Sequence, residues 1–127
     1  MNINQSLDLS LSSEYDLLAD KDRSLNAIVN ATFISGNTEV PFYFSGYTGA
    51  TLTVKNQQGT ILQVYSTIDN SIILSSTGNT FQLIKSFADM NAVRAGTYLY
   101  DMYLSNALLP RRAFLWGKIT YRQNIGN

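Results

Sequence analysis

The sequence AGTYLYDMYLSNALLPRRAFLWGKITY, at residues 95–121, decides the fold. Its first run alternates as an extended chain does, with Tyr98, Tyr100, Met102 and Leu104 on one side and Thr97, Leu99, Asp101 and Tyr103 on the other. Residues 112–121 alternate in the same way, with Ala113, Leu115, Gly117, Ile119 and Tyr121 facing one side and Arg112, Phe114, Trp116, Lys118 and Thr120 the other. Asn106 and Pro110 mark a long loop between the runs. The stretch predicts two adjacent antiparallel strands.

Upstream of this stretch, apolar and polar residues alternate in shorter runs, which predict strands at residues 25–34, 40–45, 50–55, 60–65, 71–75 and 81–85. The run at 50–55 places Ala50, Leu52 and Val54 on the inner side of its strand. Residues 12–23, SSEYDLLADKDR, lose the alternation and predict a turn or a single helical turn. Residues 86–94 predict one short helix, because Ser86 or Asp89 can cap it and apolar residues recur at spacings of three.

About eight short strands and one brief helix predict an all-β protein, an antiparallel two-sheet β-sandwich of immunoglobulin-like size. A small open barrel is the alternative architecture. The 127 residues suit one domain, which we place at residues 13–127. We predict that residues 1–12 form an N-terminal arm or edge strand, because Leu7, Leu9 and Leu11 alternate with polar residues there.

The composition speaks against catalysis and against charged partners. Nine basic residues balance nine acidic ones, so no net basic charge favours nucleic acid or a membrane surface. Histidine and cysteine are both absent, as are the phosphate-binding and dinucleotide-binding glycine motifs. We therefore expect no enzyme activity, no cofactor and no metal. The N-terminus has neither the basic nor the apolar region of a signal peptide, which predicts synthesis and assembly in a cytoplasm.

One acidic cluster offers oxygen atoms of the kind that calcium prefers, at Glu14, Asp16, Asp20 and Asp22. Its spacing does not fit an EF-hand loop, and the glycine that such a loop needs is missing. Lys21 and Arg23 partly neutralise the cluster. We interpret it as a solvated acidic turn.

The candidate binding residues are those that fall on the side of the hairpin opposite Tyr98 and Tyr100. Aromatic and arginine side chains are favoured in protein interfaces, and this side and its loop supply Tyr103, Arg111, Arg112, Phe114 and Trp116. The arm adds Leu7, Leu9 and Leu11, whose apolar side chains and unpaired backbone need a partner. A platform of tyrosines and Trp116 also suits stacking on sugar rings, which leaves a carbohydrate-binding module as an alternative.

Five motifs occur in the order found in a known family. They are FSGYTGATLTV at residues 44–54, GTIL at 59–62, SIIL at 71–74, AGTYLYDMYL at 95–104 and GKITY at 117–121. This order resembles the N-terminal domain family of the upper baseplate protein of lactococcal-type siphophages, which occurs in phage baseplate and tail-fibre proteins. The resemblance implies a β-sandwich adaptor in a phage virion that docks onto a neighbouring ring or shell protein, in an assembly that is often trimeric.

The sequence therefore predicts a non-enzymatic phage virion structural protein that binds other baseplate, tail or shell subunits. It also predicts a homo-oligomer, with a trimer favoured, assembled in the bacterial host cytoplasm and located in the virion. The alternatives are a receptor- or carbohydrate-binding module at the tail tip or capsid surface, and a head decoration or head-fibre protein.

Overall fold

The structure is a computed structural model that describes residues 13–21, 23–35, 38–108 and 111–123. Eleven β-strands and one five-residue helix lie in these ranges, which confirms the all-β prediction. The strands are β1 (Ser13–Glu14), β2 (Leu17–Asp20), β3 (Leu25–Asn30), β4 (Thr32–Ser35), β5 (Thr38–Pro41), β6 (Gly49–Lys55), β7 (Ile61–Ser66), β8 (Ile72–Leu74), β9 (Thr80–Lys85), β10 (Gly96–Ser105) and β11 (Arg112–Arg122). The helix, α1, spans Phe87–Asn91.

The largest sheet has the strand order β1-β11-β10-β6-β7, and β2 follows β1 along the same edge of β11. The predicted hairpin forms its centre: β10 and β11 pair antiparallel, with Tyr100 opposite Gly117. On its other side β10 pairs antiparallel with β6, where Met102 lies opposite Leu52. These inward residues are fully buried, as the alternation predicts, because the inner face of this sheet covers the core.

The remaining strands form a three-stranded sheet, β3-β9-β8, and the separate hairpin β4-β5. The prediction of one continuous strand over residues 25–34 is wrong, because the chain changes sheet at Ala31. The Ala31 N–H donates to the carbonyl of Asn79 at 2.7 Å, and the Ala31 carbonyl accepts from Phe42 N–H at 2.9 Å. This residue therefore belongs to neither ladder, and β4 leaves to pair with β5.

The segment expected to be a turn forms β1 and β2, which run parallel to β11 and cover its outer edge. In β2, Ala19 is buried and Leu18 is exposed, so the strand does alternate. The sequence concealed this period because Leu17 and Leu18 are both large and apolar although they face opposite sides. The prediction of a turn or helical turn here is wrong for that reason.

Gly117 and Tyr100 together hold the junction between β1 and β2. The Tyr100 hydroxyl donates to the carbonyl of Tyr15, reaching it past Gly117, its cross-strand partner. A Cβ on Gly117 would lie 2.6 Å from that same carbonyl oxygen. Asp16 fixes the other side of the junction, because its carboxylate accepts from Lys118 N–H at 3.0 Å. Two motif residues that are distant in sequence therefore serve one packing function.

The core joins the sheets through a cluster of phenylalanine rings. Phe44 lies 5.8 Å from Phe81 on β9 and 5.6 Å from Phe114 on β11, in both cases edge to face between ring centroids. Edge-to-face packing is the favoured geometry for aromatic pairs. The three-stranded sheet and the inner face of the large sheet therefore share one apolar core.

Helix α1 begins as the sequence predicts. Ser86 is its N-cap, and the Ser86 hydroxyl accepts from Asp89 N–H at 3.2 Å. The helix packs onto the core through Met90, which is fully buried. In the ranges that the structure describes, no helix is long and apolar enough to cross a membrane.

Candidate protein-interaction surface

A β-bulge in the central hairpin decides which candidate residues face outward. Leu115 lies opposite Met102, but the next pair along the ladder joins Ala113 to Tyr103. Phe114 is therefore an extra residue in β11, and the alternation shifts by one position there. From Leu115 onward the strand has the faces that the sequence predicts, and before it the faces exchange.

The prediction that Phe114 and Arg112 share a face with Trp116 is wrong because of this bulge. Phe114 turns inward, with its ring 5.0 Å from that of Phe42. Arg112 lies opposite the buried Leu104. Its guanidinium donates to the Tyr47 hydroxyl and lies 5.8 Å from the Phe42 ring centroid, so it covers the end of the aromatic cluster. Both residues serve the fold.

Trp116 does face outward, together with a leucine that is not among the predicted interface residues. We call the side of the large sheet away from the core the outer face. On this face Trp116 is 46% exposed and Leu99, on the neighbouring strand, is 50% exposed. The cross-strand partner of Trp116 is Asp101, and that of Leu99 is Lys118. Two large apolar side chains therefore lie on the surface beside single charges.

A groove of about 430 Å³ runs between these residues and the β6-β7 turn. Its walls include Leu99, Trp116, Asn56 and Gln57. The turn is held rigidly, because the Asn56 side-chain oxygen accepts from the N–H groups of Gln58 and Thr60, both at 2.9 Å. The outer face therefore offers a preformed apolar concavity.

The sequence-predicted pair Tyr103 and Arg111 lies at the other end of the outer face. The Arg111 guanidinium stacks over the Tyr103 ring at 3.8 Å from its centroid, a cation–π contact. A smaller cavity of about 210 Å³ opens beside them, and Thr51 and Thr53 contribute to its lining. Thr53 also lines the groove, so the two concavities share one lining side chain.

Exposed apolar side chains also occur at the far edge of the outer face, on the last strand of the sheet. Ile61 and Val64 on β7 are both exposed, and their cross-strand partners on β6 are Lys55 and Thr53. Leu99 pairs with Lys55 on the other side of β6. The apolar side chains therefore occur on both sides of β6 and are separated by its polar side chains.

The three arm residues of the candidate set, Leu7, Leu9 and Leu11, lie outside the described residues. Their role as interface residues stays a prediction. The described chain begins at Ser13, which pairs with Leu115.

The most strongly perturbed titratable groups lie in the core, below α1. The hydroxyls of Tyr65 and Tyr121 lie 3.2 Å apart, and both donate to the Gln63 side-chain oxygen. Burial is the main reason that the pKa of Tyr65 is raised far above its usual value and the pKa of Tyr121 is raised to about 12. Both phenols therefore remain protonated at neutral pH and act as hydrogen-bonding core residues.

Two members of the acidic cluster, Asp16 and Asp20, have structural partners. Asp20 accepts from Arg122 at 2.9 Å, and Asp16 accepts from the backbone of β11. Within the described residues, no three acidic, histidine or cysteine side chains are grouped as ligands for a metal ion. Asp22, the fourth member of the acidic cluster, lies outside the described residues.

The sequence alternation alone indicates that Leu99 faces outward. The alternation places Leu99 and Tyr103 on the same side of β10, and the structure confirms this. An apolar residue on the predicted polar side of a strand contributes to an exposed apolar patch when further apolar side chains, here Trp116, lie beside it. Ile61 and Val64 gave no such signal, because the bulge at the start of β7 hides which side they face.

Neither a protein-family model nor a curated protein matches the chain. Among solved structures, one of extracellular domains 3–5 of Drosophila OTK aligns with 88% of this chain, at 12% sequence identity and a TM-score of 0.28. The chain spans 33% of the length of that solved chain. At this TM-score the similarity carries no argument about fold or function. The resemblance to the phage baseplate family therefore stays a prediction.

Proposed function

We propose that this protein is a non-enzymatic structural component of a phage virion, which docks onto another virion subunit through its outer face. The observation that carries the proposal is the pair Trp116 and Leu99, two large apolar side chains half exposed beside a preformed groove. Exposed apolar surface next to isolated charges is typical of protein–protein contact sites.

The proposal includes the architecture, a β-sandwich of immunoglobulin size. The inner face of the large sheet packs against the three-stranded sheet through Phe44, Phe81 and Phe114. Two facing sheets with such a core suit an adaptor, because the core stabilises the domain and leaves a whole sheet face available for contact.

Three residues of the outer face supply the features of an interface centre. Trp116 offers a large apolar ring with a single donor, and Arg111 is held flat on Tyr103. Aromatic and arginine side chains contribute most to binding when a partner excludes water from them. The surrounding threonines supply a polar rim.

The virion setting rests on the five motifs of the sequence, taken with what two of them do here. Tyr100 of the AGTYLYDMYL motif and Gly117 of the GKITY motif meet across one ladder position and hold the β1-β2 junction. Both motifs therefore contribute to one packing contact in this fold. The predicted partners are baseplate, tail or shell subunits, and the predicted location is the virion.

The test compares two substitutions on opposite faces of the molecule. Trp116→Ala removes the centre of the outer face, and Ile28→Ala removes an isoleucine that is 65% exposed on the three-stranded sheet. We expect phage that carry Trp116→Ala to lose the protein from purified particles, because hot-spot aromatics contribute at least ~2 kcal/mol to binding. Ile28→Ala should be incorporated as wild type is. Equal incorporation of both variants would overturn the docking proposal.

A second candidate function is carbohydrate binding, favoured by the composition of the groove. The exposed indole of Trp116 lies beside Asp101 and Asn56, which can accept and donate hydrogen bonds to sugar hydroxyls. A glycan array separates the two functions. Glycan binding that Trp116→Ala abolishes would support carbohydrate binding. An array without any bound glycan would exclude that function and leave the docking proposal intact.

A further inference from the structure

The edge strand β7 has one side that no other described strand covers, and only Ser71 bonds to its backbone there. It pairs with β6 and with no other strand in the described part of the chain. The Ser66 N–H donates to the Ser71 hydroxyl at 2.8 Å, so it points away from β6. Backbone groups in an antiparallel strand alternate in direction with a period of two. The N–H and C=O of Val64 therefore also point away from β6, toward the open side.

The side chains of β7 do not protect this edge. Its sequence, ILQVYS, has no charged residue and no proline, and Ile61, Leu62 and Val64 are exposed. Natural proteins usually guard sheet edges with charges, proline or bulges, because an open apolar edge accepts further strands. The bulge in β7 lies at Leu62 and leaves residues 63–66 in regular pairing with β6.

The chain contains one segment with the complementary pattern. Residues 6–12, SLDLSLS, place three leucines on one side of an extended strand and serine or aspartate on the other. These seven residues are long enough to pair with the open part of β7, residues 61–65, since the outward N–H of Ser66 already donates to the Ser71 hydroxyl. Paired with β7, the leucines would continue the apolar outer face beyond Ile61 and Val64.

The donor cannot be the same molecule, because the segment is attached at the opposite edge of the sheet. Ser13 pairs with Leu115 on β11, and the order β1-β11-β10-β6-β7 puts four strand spacings between β1 and β7. At about 4.8 Å each, these spacings amount to roughly 19 Å. Residue 12 and Ser13 are joined by one peptide, whose Cα atoms lie about 3.8 Å apart. A strand ending at residue 12 therefore reaches β7 only in another copy.

We infer that residues 6–12 of one copy add as a strand to the β7 edge of a second copy. The donor site and the acceptor site lie at opposite edges of one sheet, so the contact is head-to-tail. Contacts of this type close into rings or extend into filaments. The inference goes beyond the docking proposal, since it needs only copies of this chain.

The experiment uses a variant that disables the acceptor and a variant that disables the donor. Val64→Pro removes a backbone N–H that the β6 pairing does not use, so a proline is tolerated at this edge. Deletion of residues 1–11 removes the donor leucines. Light scattering during gel filtration measures mass. We expect wild type to self-associate, and each variant alone to associate at least tenfold more weakly.

Mixing the two variants gives the sharpest result. The Val64→Pro protein keeps its donor segment and the truncated protein keeps its acceptor edge, so the mixture should form dimers of one copy of each and nothing larger. Val64→Lys is the second acceptor variant should the proline unfold the chain, and Ile28→Lys is the matched charge control, which should still self-associate. A monomeric wild type, a Val64→Lys protein that associates normally, or a mixture that stays monomeric would overturn the inference. Outer-face docking tested with Trp116→Ala is unaffected by any of these outcomes.

Discussion

Two leucines on strand β10 show that the chain covers the apolar side chains on one face of the large sheet and leaves those on the other face exposed. Leu104 faces the core and is 0% exposed, whereas Leu99 faces outward and is 50% exposed. Leu104 is covered by the rest of the chain, while Leu99 lies beside a groove with Trp116. The inner face is complete within one molecule. The outer face has the same kind of side chain with nothing in the described chain to cover it.

The polar groups of the two faces follow the same contrast. On the inner side, the hydroxyls of Tyr65 and Tyr121 share the Gln63 oxygen, and Tyr100 donates to the Tyr15 carbonyl. Buried polar groups need such partners because leaving them unpaired costs free energy. On the outer side, Arg111 rests on Tyr103, and no ion pair with it occurs in the described residues. We therefore interpret the inner face as the side that stabilises the fold and the outer face as the side that contacts a partner.

The largest expected effect separates the two leucines directly. Leu104→Ala should lower the free energy of unfolding by about 2–5 kcal/mol, because it leaves a cavity in the core. Leu99→Ala should change it by no more than about 0.5 kcal/mol, as is usual for surface positions. Urea denaturation of both variants measures the difference. Equal losses would contradict the assignment of faces.

A smaller effect is expected where the inner face meets the β1-β2 edge. Gly117→Ala should lower the free energy of unfolding by about 1–3 kcal/mol. Gly117 has a φ of +156°, and the added Cβ would lie 2.6 Å from the Tyr15 carbonyl oxygen. Gly46→Ala is the matched control, since nothing lies within 4 Å of its added Cβ. Thermal unfolding of both proteins tests this. Similar melting temperatures would show that the junction at Tyr15 does not depend on Gly117.

Alkaline pH should lower the free energy of unfolding through the buried tyrosine hydroxyls of the inner face. Burial raises the folded-state pKa of Tyr65 and Tyr100 above their usual value and that of Tyr121 to about 12. These groups therefore contribute stability that is complete below pH ~10, the unfolded-state pKa. As pH rises from there toward 12, each phenol should lower the free energy of unfolding by up to about 1.4 kcal/mol per pH unit. Urea denaturation between neutral pH and pH 11 measures this slope, and Tyr121→Phe should reduce it. A flat profile would contradict the burial of these hydroxyls.

The smallest effect is expected at the rim of the sheet. The Asp20–Arg122 pair joins β2 to β11 at 2.9 Å, and its arginine side chain is 55% exposed. Exposed ion pairs contribute only about 0–1 kcal/mol. Asp20→Asn should therefore shift the unfolding midpoint slightly, and added salt should reduce the difference from wild type. A loss as large as that of Leu104→Ala would mean that β2 is held by charge and not by packing.

The sequence predicted the elements whose residues alternate without interruption. The β10-β11 hairpin, the inward set of β6 and the Ser86-capped helix all follow from local patterns, and the structure confirms them. Local patterns could not reveal the β3-β9 pairing, in which Val29 lies opposite Phe81, because the two strands are distant in the chain. Long-range pairing depends on the whole core.

The candidate site was predicted in part, and one bulged residue accounts for the two wrong placements. The bulge at Phe114 adds a residue to β11 and turns both Phe114 and Arg112 inward, whereas Trp116 and Tyr103 face outward as expected. A bulge has no signature in alternation alone, because it depends on the register of the partner strand. Leu99 was available from the same alternation that placed Tyr103.

The central claim is that the outer face is completed by another molecule, and the protein's only tryptophan reports on it. Trp116 is 46% exposed, so the free protein should show the red-shifted emission of a hydrated indole. When a virion subunit binds, we predict a blue shift and protection from a soluble quencher such as iodide. A complex that forms with the emission and the quenching of Trp116 unchanged would contradict the account.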